Sequence, residues 1–103
     1  MRECIIPEPA LRDQDSVEMI RVWIAEKGLH CTINVGMYEK HRVPEAEAWG
    51  MILADVTRHV ADALRTRHGT DVAVTVDRIR ESYLTELDSP TSETKGGFAP
   101  SKH

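Results

Sequence analysis

The chain has 103 residues, 41% of them apolar and 29% charged, with a formal net charge of −4. At that length and composition one globular domain is the default. The acidic balance excludes a general nucleic-acid binder and a polybasic membrane anchor, both of which need a basic face.

Met1 to Pro7 holds no apolar stretch long enough for a signal peptide, and no run of about 18 apolar residues is present to span a membrane. Two cysteines, Cys4 and Cys31, are few for a secreted domain of this size. A reducing, cytoplasmic location is therefore expected.

Residues 1–16 carry Pro7, Pro9 and a charged patch from Arg12 to Asp15, and read as an extended N-terminal arm. A single α+β domain is expected over residues 17–88. Its first elements are two strands, Glu18 to Ala25 and Leu29 to Val35, joined by a tight turn. A two-residue turn at Lys27-Gly28, with Gly28 supplying a positive φ, sets Ile24, Val22 and Ile20 against Cys31, Ile33 and Val35 on one apolar face. A three-residue turn would oppose apolar to polar side chains, so the pattern selects an even-numbered loop. The other face then carries Arg21, Trp23 and Ala25 beside His30, Thr32 and Asn34.

Residues 36–43 read as a loop. Pro44 suits the first position of a helix, and Glu45 and Glu47 suit its positive end. Arg65, Arg67 and His68 suit the negative end, with Gly69 as the C-terminal cap. The helix so delimited places Trp49, Ile52, Leu53, Val56, Val60, Ala63 and Leu64 on one stripe, which matches the apolar face of the hairpin. A strip of small residues, Gly50, Ala54, Thr57 and Ala61, runs beside it. Glycine inside a helix costs about 1 kcal/mol, which the close approach of another backbone would repay. The opposite face carries a ladder of Asp55, Arg58, Asp62 and Arg65. Val72, Val76, Ile79, Tyr83 and Leu87 recur at helical spacing, predicting a second helix from about Asp71 with Thr70 as cap. Alternation over residues 70–76 leaves a short strand as the other reading. Residues 89–103 are rich in Ser, Thr, Gly and Pro and read as a flexible tail.

No sequence motif names a reaction: C-x-x-C, H-E-x-x-H, G-x-S-x-G and the P-loop are all missing. Lys95-Gly96-Gly97 has no expected strand before it and carries no weight as a phosphate loop. Arg65 to His68 fit the helix dipole better than a phosphate site. Cys31 falls on the apolar face as a small hydrophobe, and its neighbour His30 points the other way, so the two do not share a metal. Two candidate places remain. On the helix, Asp55, His59 and Asp62 have the spacing of an ion pair, a metal site or an oriented imidazole. On the sheet, Trp23 sits within a polar face with Arg21, His30 and Asn34. It is covered by the arm or tail, packs on a symmetry mate, or forms a ligand platform.

Met19 to Ile24, Gly28 to His30, Ala48 to Gly50, Leu53 to Val56 and Arg58 to Ala61 together resemble a small bacterial family of domains of unknown function, over about residues 17–90. The resemblance implies a compact cytosolic α+β domain and carries over no catalytic residue. The expected fold is an antiparallel hairpin packed with a long helix and a second C-terminal helix, its sheet completed in a homodimer because a lone hairpin is marginal in water. The expected function is a self-associating module that binds a protein partner or small ligand, with no catalysis, cofactor, nucleic acid or membrane. The alternative is a small enzyme or metal protein using His59 with Asp55 or Asp62.

Overall fold

The computed structural model describes residues 1–100. The fold is α+β, with element order α1 (Glu8–Arg12), β1 (Ile20–Ala25), β2 (Gly28–Val35), α2 (Glu45–His68), α3 (Val72–Asp88) and β3 (Lys95–Pro100). Two compact units share the chain. One contains Met1–Val35 together with the strand that begins at Lys95; the other is Gly36–Thr94.

The first unit is a three-stranded sheet in the order β1-β2-β3. The hairpin between β1 and β2 has the expected even-numbered turn, moved one residue back. Ala25 pairs with Gly28, so the turn residues are Glu26 and Lys27, and Gly28 opens β2. Glu26 has φ 50° and Lys27 φ 62°. Two left-handed residues in a row are the conformation of the type I′ turn, whose twist matches that of the flanking strands. The positive φ thus falls on Glu26 and Lys27, where a side chain costs roughly 1–2 kcal/mol per residue. The shift changes every partner but no face, because side chains alternate with period two. Ile24, Val22 and Ile20 now oppose Leu29, Cys31 and Ile33.

The third strand was not anticipated. β3 runs parallel to β2, pairing Lys95 with His30, Gly96 with Cys31 and Phe98 with Ile33. It lies within residues 89–103, the segment expected to be a flexible tail; residues 101–103 of that tail lie outside the described residues. The strand sought from a second copy is therefore supplied by the chain itself. Gly96 makes the pairing possible. Its φ is 126°, and a Cβ there would collide with the carbonyl oxygen of Cys31. Within the N-terminal arm, the Pro7-Glu8-Pro9 segment starts the one-turn helix α1. The Ser16 hydroxyl closes it by donating to the Ala10 carbonyl at 2.8 Å.

In the second unit, α2 ends as expected on Gly69, left-handed at φ 71°, whose N–H donates to the Arg65 carbonyl. Pro44 lies just outside the helix, as the extended N-cap and not its first residue. Its φ and ψ of −57° and 144° are those proline holds without strain. Glu45, the first helical residue, ties down the preceding loop. Its carboxylate accepts from the Gly36 N–H at 2.9 and 3.0 Å and from the Trp49 indole N–H at 3.2 Å. Residues 72–76 resolve as helix, not strand. α3 starts one residue later than expected, with Asp71 and not Thr70 as cap: the Asp71 carboxylate accepts from the Val74 N–H at 3.1 Å. A carboxylate meets the positive end of the helix dipole better than a hydroxyl does.

On α2 the strip and the stripe are each buried only in part: Gly50 and Ala54 are exposed, and Trp49, Ile52, Leu53 and Leu64 are half-buried. Ala61 is wholly buried and Thr75 nearly so, whereas Val56 and Val60 are 46% and 41% exposed. The small side chain of Ala61 allows close backbone approach, and Val56, Val60 and Ala63 of the stripe are left in water.

Candidate functional site

On the sheet, β1 and β2 bring the expected polar face together. Trp23 lies directly across from His30, and Arg21 from Thr32. Trp23 and His30 are half-buried. The parallel pairing of β3 adds a member that sequence reasoning discarded: Lys95 stands beside His30 in register, making the row Trp23, His30, Lys95. The Lys95 ammonium and the His30 imidazole converge above Gly28, where a Cβ would lie 3.4 Å from Lys95 Nζ and 3.6 Å from His30 Nε2. His30 Nε2 lies 3.2 Å from the Ala25 carbonyl oxygen. That contact fixes the ring over the hairpin.

Arg21 is already engaged. Its guanidinium donates to Glu18 at 3.1 to 3.3 Å and to Glu3 of the arm at 3.2 Å. It lies 5.9 Å from the centre of the Trp23 ring, within cation–π range. Hydrogen bonding and charge from Glu18, with Glu3 adding to them, raise its pKa further. Arg2, Glu3 and Cys4 line a small hollow of about 180 Å³ with Arg21 and Trp23. The arm thus partly covers Trp23, and its acid competes with any anion that would bind Arg21. Glu3 was missed because its pairing from the arm leaves no periodic trace in sequence, and Glu18, three residues before Arg21, was read only as the start of a strand. Asn34 belongs to the same polar face but is set apart. Its side-chain oxygen is buried without a hydrogen-bond partner, while its backbone N–H donates to the Met19 carbonyl at 2.9 Å.

On α2, His59 Nε2 lies 3.3 Å from one oxygen of Asp55, whose other oxygen accepts from Arg58 at 3.1 Å. The His59 side chain is 78% exposed. Asp62 is not drawn into this pair. Of the expected charge ladder, the Asp55–Arg58 rung forms. Among the described residues, no group of three or more His, Cys, Asp and Glu side chains is arranged to hold a metal ion. Asp55 and Arg58 line a hollow of about 640 Å³ together with Tyr38, Met51 and Ala54. No helix among the described residues is long and apolar enough to cross a membrane.

Residues 3–91 match the model of a domain of unknown function, DUF5076. A solved chain from the photosynthetic bacterium Rhodopseudomonas palustrus CGA009, provisionally named a pyruvate dehydrogenase, is similar in fold. It superposes with a TM-score of 0.65 at 22% identity, over 90% of each chain. At that identity the likeness concerns fold alone. No curated protein matches the sequence.

Proposed function

This chain belongs to the DUF5076 family of domains of unknown function, and we propose that it acts as a self-associating binding module without catalysis, completed by a second copy of itself. The observation that carries this reading is the amount of apolar surface left in water. Among the described residues the buried apolar ones are Ala48 and Ala61, while Val22, Ile24, Leu29 and Phe98 on the sheet remain exposed.

Association leaves the polar sheet face around Trp23, His30 and Lys95 as the surface for a protein partner or small ligand. The thiols of Cys4 and Cys31 are free, which suits a reducing, cytoplasmic setting.

Native mass spectrometry of untagged protein, purified without chelator, tests the proposal. The expected species is a bare dimer. A compact bare monomer ends the self-association reading. A metal retained by the wild type and lost on His59→Ala would instead support the Asp55–His59 pair as a site.

A further inference from the structure

Within the sheet unit, we infer that the polar face docks a short acidic peptide segment, and that Glu3 of the arm occupies part of that surface until the segment displaces it. This rests on the reading of the face as a partner surface and names the partner's chemistry and its regulation. Two cations stand at opposite corners of the face. Arg21 lies on β1 and Lys95 on β3, with β2 between them and an offset of two residues in register. At about 4.8 Å between strands and about 3.3 Å per residue, their backbones are roughly 12 Å apart. Trp23 and His30 complete the patch in the row that ends on Lys95.

The group already seated at one corner identifies the class of ligand. Glu3 comes from the arm, 18 residues before Arg21, and its carboxylate accepts a single hydrogen bond from the guanidinium at 3.2 Å. Both side chains of that pair are about half open to solvent. An exposed ion pair of this kind is weak, so its carboxylate exchanges readily for another. The other corner is vacant: among the described residues no acidic side chain pairs with Lys95. The arm therefore satisfies Arg21 and leaves Lys95 and His30 without an acid. An extended segment with acids at alternate positions presents carboxylates about 7 and 13 Å apart on one side, a spacing that reaches both corners. Such a segment gains the Lys95 contact that Glu3 does not make, and complementary charge fixes its register across the face. The chain's own net charge of −4 disfavours a long polyanion such as a nucleic acid on the same face.

The test titrates the peptide acetyl-Glu-Ala-Glu-Ala-Glu-amide into the full chain at low salt. Nitrogen-15 NMR follows the Trp23 indole and the backbone amides of His30 and Lys95, in wild type, Glu3→Gln and Lys95→Gln. The same peptide with glutamine for glutamate is the control. The expected result is a shift of these three signals by the acidic peptide and none by the control. Glu3→Gln should bind roughly two- to fivefold more tightly, because a weak competitor has been removed, and Lys95→Gln about threefold more weakly. No shift in either wild type or Glu3→Gln overturns the acidic-peptide assignment. Equal binding by those two proteins overturns the role of the arm, and binding undiminished in Lys95→Gln overturns this surface. A short oligonucleotide that binds more tightly than the peptide overturns carboxylate recognition. A protein that is dimeric by native mass spectrometry yet ignores the peptide overturns this inference alone and leaves the binding-module reading standing.

Discussion

Glu86 is exposed, yet its acidity is set by a local contact. Its carboxylate accepts from the Thr91 hydroxyl at 2.7 Å and from the Thr91 N–H at 3.0 Å. These bonds favour the charged form and lower its pKa, the hydroxyl contributing most. A group whose pKa is lower folded than unfolded stabilises the fold above its unfolded value, about 4.3 for glutamate. That contribution is lost as the pH falls through the lowered folded value. Carbon-13 titration of the Glu86 carboxyl should give a midpoint below the ordinary glutamate range. In Thr91→Val it should return most of the way, because the hydroxyl is gone and the N–H remains. An unchanged midpoint in the variant would show that Thr91 does not set it. The turn pair Glu26 and Lys27 illustrates the reverse case. There the residue types oppose the backbone, and the hairpin prevails because its strands pair along both flanks.

At the scale of elements, the third strand hangs on one position. Gly96→Ala places a methyl group against the Cys31 carbonyl, so β3 should detach while the β1–β2 hairpin persists. Amide hydrogen exchange would show it as faster exchange in β3 and along the β3 side of β2. Unchanged protection would mean that the strand tolerates a side chain there. The legibility of each element in the sequence follows the range of its determinants. The end of α2 was readable because Gly69 and the basic last turn act locally. The sheet faces were readable because parity survives a slipped turn, which is how Trp23 and His30 were grouped before their pairing was known. The Asp55–His59 pair follows from helical spacing. β3 was not readable. Lys-Gly-Gly-Phe-Ala-Pro has neither alternation nor β-branched residues, and its partner is distant in sequence. Lys95 was lost from the candidate site with it.

For the whole molecule, stability and association are one quantity if folding is completed by a second copy. The melting temperature should then rise with protein concentration, because mass action favours the folded dimer over unfolded chains. Differential scanning calorimetry over a hundredfold range of concentration measures the shift; a melting temperature independent of concentration would argue for a chain that is stable alone. The same frame explains why part of the long apolar stripe of α2 is left in water. Periodicity marks which side chains must leave water, but it does not say which surface will cover them. Val56 and Val60 are half exposed in the single chain for that reason.

The order of the strands has a consequence during synthesis. All of Gly36–Thr94 lies between β2 and its parallel neighbour. On the ribosome the hairpin emerges first, and β2 shows an unpaired edge until the last strand follows. The helical unit emerges in that interval and can fold before the sheet is complete. Sheet closure is therefore the late, long-range step, slow in the way that distant pairings are slow. Until it occurs, the bare edge of β2 can be captured by the strand of another nascent chain, and the rate at which Lys95–Pro100 finds its place governs how much protein escapes that fate.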